Sequence, residues 1–372
     1  IMADNNENKV LNVPHLRFPE FSGEWKKCKL GDLCNVLMCK RILVSQTNTE
    51  DGVPFYKIGT IGSTPDAYIS KELFDDYKVK YNYPRKGEVM ITCAGTVGKC
   101  VVYDGEDAYF QDSNIVWIDN PTQYISNGFL FHLLSKVDWR KLNSTTIIRI
   151  YNDDLRNLKM SYPRKEEQQK ISHLLSLLDE RIATQNKIIE KLQSLIKGLA
   201  AQLTQSGTPN IRLCDCLECH SSTLLENCVS VTGSYPVYGA TGLIGYTNNY
   251  AYNGESILIV KDGSGVGSLS YVNDHFSVIG TLNYLTAKEN YSILYLYYAL
   301  MAFNFTPYIT GMAIPHIYFK DYGKAKLFYP SIEKRIRIAS LLHNIEQKLV
   351  VEQNLVISLS TQKSYLLRML FI

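Results

Sequence analysis

Four side chains of zinc-binding type stand close together in "CDCLECH": Cys214, Cys216, Cys219 and His220. Structural zinc sites take thiolate and imidazole ligands, usually from paired C-x-x-C knuckles. The spacing here is not such a pair, and the first half of the chain carries "GDLCNV" at the related place. Buried free cysteines are therefore expected, and no metal. Two glycine turns raise other chemistry. "CAGTVGKC" contains Thr96 and Lys99, and "KDGSGVGS" contains Lys261 and Ser264. The second superficially resembles a dinucleotide-binding loop, but the strand-like "SLSYV" follows it where a helix would be needed. Both read as turns of β-hairpins, where glycine tolerates positive φ and lets the backbone approach a ligand closely. Lys99 and Lys261 flank these turns, either as solvated loop lysines or as contacts to phosphate.

Two more loops join the set. Lys57–Thr60 ("KIGT") and Tyr238–Thr241 ("YGAT") precede the glycine turns in their respective halves. Further on, "TTIIRIYNDDLRNLKMSYP" and "TGMAIPHIYFKDYGKAKLFYP" place Arg149 and His316 at corresponding positions, each just ahead of a tyrosine. Arginine pairs well with guanine, and histidine can donate or accept in a groove. The bland alternative is a structural connection from strand to helix. No phosphate loop, no H-E-x-x-H, and no N-P-P-Y or D-P-P-Y adenine-methylation motif is present, and the seven histidines are scattered. No nucleophile, base and orienter come together, so no catalytic residues are expected.

Something must position these loops, and the sequence names it twice. "YPRKEEQQKISHLLSLLDERI" begins at Tyr162 and "YPSIEKRIRIASLLHNIEQKL" at Tyr329. A constant offset of 167 residues carries Pro163 onto Pro330, Ile171 onto Ile338, Leu175 onto Leu342 and Gly87-Glu88 onto Gly254-Glu255. A repeat this long is a duplicated domain with its helix, not a short solenoid unit. Each helix carries one heptad seam. The first runs Ile171, Leu175, Leu178, Ile182, Ile189, Leu192, Ile196, Leu199 and Leu203. The second runs Ile338, Leu342, Ile345, Leu349, Val356, Leu359, Leu366 and Leu370, interrupted at Glu352 and Lys363. Gln185 is the polar slot of the first seam and corresponds to Glu352 in the second. A polar seam residue lowers stability and fixes register, and Gln185 and Glu352 are the candidates for that role.

The predicted architecture is α+β. Two related β-rich globular domains are separated by two long helices that pair as an antiparallel intramolecular coiled coil, with pseudo-twofold symmetry. The segments are 1–162, 163–205 (helix), 206–329 and 330–372 (helix). A seam of about 33 residues would make a rod near 50 Å. Two heads on a spacer suit a partner with two sites at a fixed distance, such as duplex DNA.

Composition agrees without deciding. In 372 residues, 45% are hydrophobic and 20% charged, so packed cores are expected and disorder is not. The net charge of +3 permits a nucleic-acid partner without demanding one. The 26 tyrosines fill β-rich cores more readily than they stack on bases. Nine cysteines without a disulfide scaffold's spacing, no signal peptide and no membrane-spanning run point to the reducing cytoplasm.

Over essentially its whole length the chain resembles the specificity subunits of type I restriction–modification systems. The resemblance rests on "VPHLRFPEFSGEWKKCKLGDL" from Val13, on the "YP...EEQQKI" entry to the first long helix, and on the order domain, helix, domain, helix. It implies a non-catalytic subunit whose globular segments are target recognition domains, each reading one half of a bipartite DNA sequence. The helices would set the gap and dock two modification subunits, which methylate adenine with S-adenosylmethionine. Restriction subunits complete the complex, and this chain would bind no cofactor itself. The DNA-reading candidates are then Lys57, Thr60, Thr96, Lys99 and Arg149 in the first domain, and Tyr238, Thr241, Lys261, Ser264 and His316 in the second. The second domain lacks the "LRFPEF" lead, and "SIEKRIRI" replaces "RKEEQQKI", so the two docking surfaces are not expected to be identical. The rival readings are a coiled-coil scaffold without a DNA role and a self-contained methyltransferase.

Overall fold

The computed structural model describes residues 11–141 and 149–372. The chain divides into two compact units, Ile1–Thr184 with Val356–Ile372, and Gln185–Leu355. The first part of each long helix thus belongs to one unit and the second part to the other.

In chain order the first unit has strands β1 (Lys26–Lys29), β2 (Asn35–Leu37), β3 (Thr47–Asn48), β4 (Val53–Tyr56) and β5 (Tyr68–Ile69), then helix α1 (Lys71–Lys80). Strands β6 (Val89–Thr92), β7 (Cys100–Val102), β8 (Tyr109–Phe110) and β9 (Ile115–Asp119) follow. Helices α2 (Asn127–Lys136) and α3 (Asn152–Arg156) and strand β10 (Lys159–Tyr162) come next, and the long α4 (Lys165–Thr204) lies in this unit as far as Thr184. The "GFLFHLLSKVDWRKL" helix is thus shorter than the sequence suggested: after Lys136 the chain turns into a 3-10 turn at Trp139–Lys141. One sheet has the order β2-β9-β6-β7, a second β3-β5-β4-β8, and β1 pairs with β10.

The second unit repeats the plan with β11 (Ile211–Arg212), the short α5 (Leu213–Cys216), β12 (Leu217–Ser221), β13 (Tyr235–Gly239), β14 (Gly242–Thr247), β15 (Tyr252–Val260), β16 (Leu269–Val278) and β17 (Leu282–Ala287). Then come α6 (Ile293–Met301), α7 (Phe319–Tyr322), β18 (Lys326–Leu327) and the long α8 (Ile332–Leu370). Here six strands form one sheet, β12-β17-β15-β16-β13-β14. The difference has a local cause. β16 is ten residues long and serves both as hairpin partner of β15 and as parallel partner of β13. In the first unit the corresponding stretch breaks at Asp104-Gly105, where Gly105 adopts φ +95°, and splits into β7 and β8.

The helices follow from caps and apolar spacing. Ser126 and Ser292 cap α2 and α6 by accepting from the amides of Phe129 and Tyr295, each at 3.3 Å. In α2, Phe129, Leu130, Leu133 and Leu134 form the buried face and pack on the β6 sheet and on Ile171 and Leu175 of α4. A proline stands just before each long helix, where it cannot extend a helix backward. The carbonyls of those prolines are capped alike: Gln168 donates to Pro163 at 2.9 Å and Arg335 to Pro330 at 2.7 Å.

The seams are as read from the heptads, and the pairing within each unit is antiparallel. In the first unit Leu366 and Leu370 of α8 join the core that holds Ile171 and Leu175, while Lys363 meets Asp179 further along α4 at 2.5 Å. In the second, Ala200, Leu199 and Leu203 pack with Ile338, Ala339 and Leu342, and Gln185 donates to the Glu352 carboxylate. Gln185 is only 2% exposed. Tyr109, Tyr295, Tyr298 and Tyr322 are fully buried, while most of the other tyrosines are at least partly exposed.

Candidate nucleic-acid interface

In each unit the predicted loops gather at one end of the strands, and topology explains why. β4 and β8 are parallel neighbours, so the chain leaves both at the same end. β6 leaves there too and turns back into β7, and β9 begins there, with Thr92 opposite Ile115. Four loops therefore meet: Lys57–Gly62 after β4, Cys93–Lys99 between β6 and β7, Gln111–Asn114 between β8 and β9, and the stretch around Arg149. The preceding residues Thr145–Ile148 lie outside the described part of the chain.

Specific contacts hold them. Lys99 Nζ donates to the carbonyl of Ile61 at 2.5 Å, tying the glycine hairpin to the Lys57–Gly62 turn. The Thr60 hydroxyl accepts from the Lys57 amide at 3.0 Å and so serves its own turn, while Lys57 Nζ pairs with Asp66 at 2.9 Å. Thr96 is exposed at the tip, and its carbonyl accepts from the Thr92 hydroxyl. The amide of Ile150 donates to the Cys93 carbonyl at 2.9 Å, which sets Arg149 against the hairpin. Arg149 donates to the Ser113 carbonyl at 3.3 Å and lies over the exposed Tyr151 ring, 5.9 Å from its centroid. Burial pushes the nearby Cys93 thiol up to about 12, and Arg149 works against that shift.

The second unit builds the same constellation. Ile317 N donates to the Lys261 carbonyl at 2.9 Å, as Ile150 does to Cys93. His316 pairs with Asp262 in a β-bridge, and Gly263 N donates to the Pro315 carbonyl at 2.9 Å, so Lys261, Ser264 and His316 are neighbours. The Tyr238–Thr241 turn is joined through the β16–β17 loop, where Ile279 N donates to Tyr238 O and Lys261 N to Thr281 O, both at 3.0 Å. Thr241 and Ser264 are exposed; the Tyr238 ring is half-buried and packs edge-on to Phe276. His316 lies against the exposed Tyr318 ring, centroids 5.0 Å apart.

Both glycine motifs are hairpin turns. Gly98 (φ +84°) and Gly267 (φ +86°) close them, donating to Thr92 O and Val260 O. In "CDCLECH" the side chains go separate ways. Cys216 lies in the core with its thiol pushed up to about 12 by burial. Cys219 is half-buried and raised to about 11 for the same reason. His220 meets the Thr286 hydroxyl at 2.9 Å and stacks on Tyr284. Among the described residues no three potential ligands converge on a metal position, and none of the nine cysteines is in a disulfide. No helix among them is long and apolar enough to cross a membrane.

Sequence reasoning missed Arg41 and the loop Gln111–Asn114, which only the sheet pairing brings beside Lys57. It noted Tyr151 and Tyr318 merely as landmarks. Their shared offset of 167 residues, each two positions past Arg149 or His316, was the available signal.

The family model of the type I restriction modification DNA specificity domain matches twice, over residues 22–194 and 211–359, which is most of the chain. The chain belongs to this family. Specificity subunits of type I systems recognise DNA and are not themselves catalytic. Among specificity-subunit relatives, a Haemophilus influenzae protein provisionally assigned as a type I restriction enzyme specificity subunit is 46% identical over 189 residues, covering 51% of this chain and 46% of that one. An Escherichia coli type I restriction enzyme specificity subunit is 28% identical over 112 residues, covering 30% and 28%. The matches thus span half or less of these relatives' length. In fold, the type I restriction–modification S subunit from M. genitalium superposes with a TM-score of 0.68 over 97% of this chain and 99% of that one, at 18% identity.

Proposed function

We propose that this specificity subunit reads a two-part target in double-stranded DNA, one half with each unit, and directs the methylation and restriction of that target by partner subunits. The observation that carries this reading is the repetition of one loop constellation in both units. A glycine hairpin with a flanking lysine is bridged through the main chain to Arg149 in one unit and to His316 in the other. The frame repeats while the side chains differ, as expected when two related domains read different sequences.

The long helices act as the spacer. They set the number of unread base pairs between the half-sites and dock two modification subunits, with restriction subunits joining the full complex. The apolar side chains they expose, among them Leu177, Leu195, Ile336, Val351 and Ile357, supply a surface for that docking. S-adenosylmethionine belongs to the modification subunits, and the assembly works in the cytoplasm. The chain's net charge of only +3 fits a complex in which partners make many of the phosphate contacts.

The test is a methylome. The chain is co-expressed with its modification subunits in a host lacking adenine methylation, and modified adenines are mapped genome-wide. A single two-part motif with a fixed gap is expected. An assembled complex that leaves no new modification overturns the reading and favours a scaffold without a DNA role.

A further inference from the structure

The loop between β8 and β9 lies at the centre of the first unit's constellation, yet none of its residues was among the sequence candidates. Much of its backbone is committed. Gln111 N donates to Tyr56 O at 2.9 Å, Cys93 N to Asn114 O at 2.8 Å, and the Ser113 carbonyl accepts from Arg149. Its side chains are not committed in this way. Arg41, Lys57, Gln111, Asp112, Ser113 and Asn114 line an open cavity of about 280 Å³. Arg41 reaches Asp112 at 2.8 Å while remaining 65% exposed. Gln111 accepts a long bond from Ile58 N at 3.4 Å, and the side-chain amide of Asn114 has no hydrogen-bond partner among the described residues. Ser113 adopts φ +54°, a conformation uncommon for a residue with a side chain. Such an outlier persists only where its surroundings enforce it, and it often marks a working site.

We infer that this cavity is a base-reading pocket of the first unit, with Asn114 and Gln111 facing the major-groove edge of an adenine and Arg41 alongside. The inference rests on the DNA-reading role proposed above. Amide side chains match adenine, whose N7 accepts and whose N6 amine donates. Arg149 is then a positioning residue, because its guanidinium holds the Ser113 carbonyl and with it the loop. The second unit has the same loop with the same main-chain bonds, but its residues are Ile279, Gly280 and Thr281. With no amide and no charge there, this pocket belongs to the first half-site alone.

The experiment is selection from a random duplex library, using the chain assembled with its modification subunits. Wild type, Asn114→Ala and the near-isosteric Asn114→Asp are compared. Wild type is expected to select two half-sites, one containing a preferred adenine at the position read by Asn114. Both variants should lose that preference and weaken binding to the wild-type site by roughly tenfold or more, with the other half-site and the gap unchanged. The unchanged half-site also reports that the variants are folded. A variant motif identical to wild type overturns the inference while leaving the general reading intact. Uniform weakening on all sequences, with a smaller salt dependence, also overturns it, since that marks a phosphate contact. A wild-type complex that selects no sequence overturns both.

Discussion

Gln185 donates its side-chain amide to the carboxylate of Glu352, and the two residues stand 167 positions apart. That separation is also the period of the repeat, so the bond joins the two copies of a single seam position. Burial of Gln185 makes the pairing consequential, because a buried amide without a partner is costly. Replacing Glu352 with Leu is expected to destabilise the second unit by about 1–3 kcal/mol, and replacing Gln185 with Leu by somewhat less. The double Leu variant should recover the loss or exceed wild-type stability, because an apolar seam outperforms a polar one while specifying register less well. Denaturant titrations of the four proteins decide it; singles that cost nothing refute the pairing's importance.

His132 gives the first unit a pH dependence. The ring is 1% exposed, its Nε2 is 3.4 Å from the Ser176 hydroxyl, and its Nδ1 lacks a hydrogen-bond partner among the described residues. Burial lowers its pKa to about 4; Asp179, 4.0 Å away, opposes the shift, and Lys363 reinforces it. Between that value and the unfolded value near 6.5 the unfolded chain binds a proton that the folded chain refuses. Stability is therefore full above about pH 6.5 and falls by about 3 kcal/mol as the pH drops to about 4. Melting curves from pH 7.5 to 4.5 should show this slope in wild type and a shallower one in His132→Gln.

The two hairpin glycines should tolerate substitution unequally. A Cβ on Gly98 would lie 2.2 Å from Cδ1 of the buried Trp139, in addition to the strain of φ +84°. On Gly267, at φ +86°, the nearest atom is Phe305 Cβ at 3.3 Å. Gly98→Ala is expected to cost about 3 kcal/mol or more and Gly267→Ala about 1–2 kcal/mol. Equal losses in thermal denaturation would mean that backbone strain alone governs both turns.

Lys99 and Lys261 flank their glycine turns on opposite sides, Lys99 matching Ser268 and Lys261 matching Cys93, and they do different jobs. Lys99 is engaged with the Ile61 carbonyl and clamps two loops, so Lys99→Met should cost about 1 kcal/mol of stability and increase proteolysis at Lys57–Gly62. Lys261→Met should leave stability alone and lower the slope of log affinity against log salt by about 1, with the recognised sequence unchanged. Titrations at several salt concentrations separate the two behaviours.

The helices and the duplication were plain in the sequence because heptads and an ungapped offset are one-dimensional signals. Ile171, Leu175, Ile338 and Leu342 are buried where the periodicity placed them. The loops around Lys99, Arg149, Lys261 and His316 were legible because a glycine turn follows the corresponding strand in each half and because Arg149 and His316 share the offset of the repeat. The Gln111–Asn114 loop was hidden because parallel pairing of β4 with β8 is a long-range contact that no local pattern encodes. The partner of Lys363 was hidden likewise: read along one helix it was an interruption, and only the second helix supplies Asp179.

The bonds that assemble each loop cluster run mainly between main-chain atoms: Ile150 to Cys93, Gln111 to Tyr56, Ile317 to Lys261 and Ile279 to Tyr238. A framework of amides and carbonyls is largely indifferent to which side chains it displays. Substitutions at loop tips such as Thr96, Thr241 and Ser264 therefore cost little folding energy. Such a chain can drift from one recognised sequence to another through a series of stable intermediates, with its helices and the surfaces they offer kept constant throughout.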